Sequence, residues 1–271
     1  MLSELRIRLH RRLPDERGWT LIELLVVLVA GIVVMSALLT ILEVTARQTN
    51  RTFSKVDATQ RARTMLERLE GELHSACVVN GTTPVQAGST STTLSFLSYY
   101  GDTANPTPSW HNIVFSGGTL TDNAYAVGGS SPNWTQGSLQ SSTTLLNNVS
   151  QSGSTPVFQY FSFQQIPNGQ GGYYSDGAGN PYMILADGTN PIPNTSPAIV
   201  PAASPLSTPL SSTDSQNATE VRVTLAVGPG GGTEENTNLS DANTTINDGI
   251  TLRLTPPANH VESGANFGPC Q

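Results

Sequence analysis

The chain is short of charge, aromatics, cysteine and, between residues 19 and 83, proline. Of its 271 residues only 12% are charged and 6% are aromatic, and cysteine occurs twice. With a hydrophobic share of 37% and abundant Ser, Thr, Asn and Gly, that composition argues against a compact helical enzyme and for a β-rich, exposed body. Positive charge is scarcer still after the first quarter. From Val78 onward only Arg222 and Arg253 face 11 acids, a net of −9, and no lysine is present. Such a region is a poor match for phosphate backbones, so no nucleic-acid partner is expected. Catalytic signatures are missing too. No G-x-S-x-G, H-E-x-x-H, C-x-x-C or P-loop occurs, and His10, His74, His111 and His260 are scattered. No enzymatic activity and no cofactor are expected.

The missing proline allows one continuous helix from Trp19 to about Ala76, roughly 87 Å at 1.5 Å per residue. Its first part is apolar all round. From Leu24 to Leu42 only Ser36 and Thr40 are polar, and those nineteen residues reach roughly 28 Å, the thickness of a bilayer interior. Arg6, Arg8, Arg11, Arg12 and Arg17 precede it, which places the N-terminus in the cytoplasm and everything after the span outside it. The run is longer than the apolar region of a cleaved secretory signal and lacks a clean A-x-A site. Beyond it the helix becomes amphipathic. Val56, Ala62, Met65, Leu66, Leu69, Leu73 and Ala76 form one stripe; Arg61, Arg63, Glu67, Arg68, Glu70 and Glu72 form a charged face. One residue does not fit a lipid-spanning helix: Glu23, an acid at its very start.

Together these residues resemble a known signal. "RG" followed by "WTLIELLVVLVAGIVV" is similar to the class III signal of type IV pilins and type II secretion pseudopilins. The resemblance implies that prepilin peptidase cuts between Gly18 and Trp19, that the new amine of Trp19 is methylated, and that Glu23 is the family's glutamate at position five of the mature chain. Trp19 stands where the family most often has Phe, and Thr40 where major pilins have a helix proline, which favours a minor subunit. The physics of Glu23 follows. A carboxylate in a bilayer costs a few kcal/mol even on the lenient scale and needs a partner. Leader removal creates one, since an α-amine with a pKa near 8 is largely protonated at neutral pH. The resemblance implies that Glu23 of one subunit meets the amine of its neighbour and sets the axial register of a filament. The implied partners are other pilins through the N-terminal helix, prepilin peptidase and a membrane assembly platform. The implied location is the cytoplasmic (inner) membrane and then the pilus or pseudopilus.

The expected fold is α+β: a long N-terminal helix packed on an antiparallel, loop-rich, pilin-like head. Residues 1–18 are the leader, 19–42 the membrane and filament-core helix, 43–77 its amphipathic continuation and 78–271 the exported head. Strands are expected at 92–100, 111–116, 157–163, 219–227 and 249–255, with a tight hairpin at Gly117-Gly118. The Pro-, Ser- and Thr-rich stretch 187–217 reads as a surface excursion. The layout, with "DATQRARTMLERLEGELHSA", resembles J-type minor pseudopilins and PilW-like minor pilins. Cys77 and Cys270 allow a single intramolecular disulfide, which an exported head could keep, or two separate thiols. Asp176 and Asn180 in "SDGAGNP" are a weak calcium candidate beside the plainer reading of a polar turn. The rival to the filament subunit is a signal-anchored extracytoplasmic surface-binding protein that keeps residues 1–18.

Overall fold

The computed structural model of the chain describes residues 19–77, 83–98, 108–130, 133–229 and 243–252. Gly18 and Cys270 lie outside them. The chain divides into two units, residues 1–51 and 52–271.

Helix α1 runs Leu21–His74, starting in the first unit and ending in the second. In the first unit every described helical residue is exposed, including all the large apolar ones. The most apolar 18-residue window has a mean hydropathy of 2.9, and none of it is covered by protein. This is one long apolar helix near the N-terminus that fits a single-pass membrane anchor. Its two polar interruptions are satisfied within the helix. Ser36 Oγ donates to the Val33 carbonyl at 2.8 Å and Thr40 Oγ1 to the Ser36 carbonyl at 2.9 Å. Hydroxyls closed back on the helix add little cost in hydrocarbon.

In the second unit the helix buries one stripe: Ala58, Ala62, Met65, Leu66, Leu69 and Leu73. Val56 is not part of it and stays 47% exposed. At 3.6 residues per turn Val56 projects roughly 200° away from Ala58, which takes the inward position instead. Glu72 departs from expectation in the other sense. It is buried on the sheet side, not on the solvated charged face. The helix closes at His74; Ser75 and Ala76 make the last turn, and the Cys77 amide donates to the Leu97 carbonyl at 2.8 Å. Ala76 pairs with Ser98, so the chain leaves the helix along a strand edge.

The sheets are antiparallel. The first has the order β1 (Thr93–Ser98), β2 (Ser109–Ser116), β3 (Thr119–Ser130), β4 (Asn133–Asn147). Between β2 and β3 the last pair is Ser116 with Thr119, leaving the two-residue turn Gly117-Gly118. Both glycines have positive φ, 58° and 77°, as a primed hairpin turn requires. The second sheet centres on β9 (Glu220–Val227). It pairs with β10 (Thr244–Thr251) on one side, and with β5 (Val149–Ser150) and β6 (Phe158–Phe161) on the other. A small third sheet joins β7 (Phe163–Gln165) to β8 (Met183–Leu185).

Val221, Val223, Leu225 and Val227 of β9 are fully buried, as their period of two requires. They share a core with Leu94, Phe96, Ile113, Leu120, Phe158 and Tyr160, and with the helix stripe. The segment 187–217 is mostly exposed and without strands, but it ends in a short helix, α2 (Ser212–Asn217), capped by the Ser211 hydroxyl accepting from the Asp214 amide at 3.0 Å.

Candidate functional site

Two places carry the chemistry, one in each unit. The first is the start of α1. Thr20 is its N-cap: the Glu23 amide donates to Thr20 Oγ1 at 3.3 Å and to the Thr20 carbonyl at 3.0 Å. Thr-x-x-Glu is the capping-box spacing, which puts Glu23 at the third helical position. An acid in a first turn also meets the positive end of the helix dipole, worth a few tenths to about 1 kcal/mol when exposed. Glu23 therefore has a local reason to be there, read from "TLIE" alone. Glu23 and Glu43 bracket the apolar run, and Glu43 is paired with Arg47 one turn on. Trp19 is exposed just ahead of the cap.

The second place lies where α1 faces the first sheet. Arg68 donates from Nε to Glu72 Oε1 at 2.8 Å and from Nη2 to Asp122 Oδ2 at 3.2 Å. His111 Nδ1 sits 2.9 Å from Asp122 Oδ1, and its Nε2 sits 3.0 Å from Ser109 Oγ. The imidazole stacks on Phe96, with centroids 5.3 Å apart and planes within 11°. Asp122 and Glu72 are buried, whereas the Arg68 side chain is 46% exposed. Arg68 also lines an open groove of about 370 Å³ together with Asp57, Gln60, Arg61, Thr64 and Met65 of the helix and Thr144–Leu146 of β4.

Ser109, His111 and Asp122 thus stand in the hydrogen-bond order of a nucleophilic triad. Ser109 and His111 are two apart on one strand, and the Asp122 carboxylate is shared with Arg68. The sequence scatters these residues over 54 positions from Arg68 to Asp122, so no local motif signals them.

Of the remaining candidates, Cys77 is fully buried beside Leu97, under Trp110, Val127 and Trp134. Asp176 and Asn180 do come together. Asp176 Oδ1 accepts from the Ala178 and Asn180 amides at 2.9 and 2.8 Å, and Oδ2 accepts from Asn180 Nδ2 at 3.0 Å. The Asn180 side chain, then its backbone amide, holds the carboxyl below its ordinary range. This is a self-contained Asx turn with one acid.

No family model, no curated protein and no solved structure matches the chain.

Proposed function

We propose that the chain is a structural filament subunit, a minor pilin or pseudopilin of a type IV pilus or type II secretion pseudopilus. The observation that carries this reading is the bare helix. An apolar surface that no part of the described chain covers must be covered by lipid before assembly and by other copies afterwards. "RGWTLIE" supplies the processing signal: cleavage after Gly18, methylation of Trp19, and Glu23 four residues beyond the new amine. Residues 78–271 are the exported head, which with the end of α1 lies in the second unit. Its partners are neighbouring pilins, prepilin peptidase and the assembly platform in the inner membrane, and it performs no catalysis. The test is to shear filaments from cells and probe them for the chain: recovery with the filament fraction supports the proposal, and exclusive recovery with membranes refutes it.

The Thr20 cap favours a second reading. Because the cap takes the Glu23 backbone amide and the helix dipole favours an acid in the first turn, a signal-anchored extracytoplasmic protein accounts for the same acid without a neighbour. The two readings part at the leader, which the anchor retains.

A further inference from the structure

The groups around Arg68 are out of balance. Two buried carboxylates, Glu72 and Asp122, share the single guanidinium of Arg68. One oxygen shows it directly: Glu72 Oε2 is buried and has no hydrogen-bond partner among the described residues. Buried polar atoms are satisfied as a rule, so an orphaned carboxylate oxygen in such a cluster calls for a further partner, a water or an ion.

From this geometry we infer that Glu72, His111 and Asp122 form a binding site for a divalent transition ion of the zinc class, joining α1 to β2 and β3. One ligand atom from each lies within 4.8 Å of the other two. Tetrahedral zinc at about 2.0–2.1 Å holds its ligands roughly 3.3 Å apart, so from a 4.8 Å spread the site closes by up to about 1.5 Å as the Glu72 side chain turns. His111 Nδ1 and Asp122 Oδ1 are already nearer than that, at 2.9 Å.

Two features prepare the imidazole. Stacking on Phe96 fixes its plane, and Ser109 accommodates either tautomer. In the ion-free chain Nδ1 faces Asp122 Oδ1 and Nε2 faces Ser109 Oγ, each at hydrogen-bond distance. With the ion bound, the Nδ1 lone pair coordinates it and Nε2–H donates to Ser109 Oγ, the outer-sphere hydrogen bond that orients a metal-binding histidine. Two carboxylates neutralise the divalent charge. The mixed nitrogen and oxygen set suits zinc better than calcium, which takes six to eight oxygens. Arg68 is the resident counter-ion that zinc displaces; half-exposed on the groove, its guanidinium has solvent to move into.

The experiment is a zinc titration of the full chain in detergent, stripped with chelator and followed by calorimetry and by thermal unfolding. One zinc per chain is expected, with a rise in Tm. His111→Ala should lose more affinity than the roughly 10–100-fold that removing an outer partner costs, and Ser109→Ala should fall inside that range. Arg68→Met separates a metal site from a plain charge network. It should lower the Tm without metal, bind zinc more tightly than the parent, and regain its Tm when zinc is added. A parent that binds no zinc, or zinc binding unchanged by His111→Ala, overturns the inference. If His111→Ala does not fold, the Arg68→Met arm decides, and a Tm that zinc leaves low overturns it.

Discussion

The Thr20 hydroxyl oxygen lies 3.3 Å from the amide nitrogen of Glu23, closing the first turn of α1. The two residues therefore share a structural duty, and substitutions can divide it from any duty in assembly. Thr20→Ala removes the cap and costs about 1 kcal/mol of local helix stability. Glu23→Ala leaves the Thr20 cap in place but removes the charge. On the filament account, Thr20→Ala still enters filaments, whereas Glu23→Ala inserts in the membrane and is absent from them. Immunoblots of sheared filaments and of membranes read both results. Equal recovery of the two variants would reduce Glu23 to a capping residue.

The helix and its apolar first half were legible because both signals are local: nineteen residues with only two polar ones and no proline, then a stripe at helical spacing. The central strand β9 was legible for the same reason, four inward residues at a period of two. The long hairpin of β3 and β4 was not, although the Gly117-Gly118 turn that joins β2 to β3 was. Along β4 most side chains are exposed, Leu139 among them at 54%, so neither face imposes alternation on the sequence. The start of β10 at Thr244 was hidden likewise, since "TTIND" is polar and mostly exposed. Glu72 runs against the pattern because periodicity assigns an acid between apolar positions to solvent; the Arg68 guanidinium one turn back, donating to Glu72 Oε1, offsets its burial.

Ser109 tests whether the second cluster does nucleophilic chemistry. On the present account its hydroxyl is a partner of the His111 ring and nothing more. Incubation with a fluorophosphonate should leave Ser109 unmodified by mass spectrometry. Modification at Ser109 that disappears in His111→Ala would install a hydrolase function instead.

Arg222 holds the start of the 187–217 excursion to β9. Its guanidinium donates to the Asp187 carbonyl at 2.8 Å, to Asp187 Oδ2 at 3.0 Å and to Glu220 Oε1 at 3.0 Å, and lies over the Phe161 ring. Burial pushes the Asp187 carboxyl up, but hydrogen bonds from Thr189 and Asn190 and the Arg222 charge outweigh it and hold it below the ordinary range. Burial wins at Glu220, which is raised despite Arg222. The signs follow from linkage. Asp187 binds fewer protons folded than unfolded, so its stabilisation is present above about pH 4 and is lost as the pH falls through its folded value. Glu220 binds more protons folded, so stability declines as the pH rises above about 4.5 through its raised value. Asp187→Asn should cost about 1–3 kcal/mol near neutrality, as expected for hydrogen bonds to a charged group. Glu220→Gln should remove the decline above about pH 4.5. Thermal unfolding from pH 3 to 7 reads both slopes.

Cys77, buried at the end of the helix, and Cys270, the other cysteine of the sequence, give a redox test. If they are joined, the closed loop of about 193 residues stabilises the fold by up to about 5 kcal/mol in the chain-entropy view. Unfolding the protein without reductant in the presence of a thiol reagent should label neither position. Labelling at both would establish two separate thiols, and the tail would then owe nothing to the helix end.

The central claim is that a lone acid at the head of a lipid-spanning helix is there to meet an amine made by proteolysis. Intact-mass and N-terminal analysis of the protein isolated from its own membranes tests this most directly. The account predicts a chain that begins at Trp19, carries one methyl group on its amine, and has lost residues 1–18. A chain still beginning at Met1, with no modification at Trp19, would contradict it and leave Glu23 as a helix cap on an uncleaved anchor.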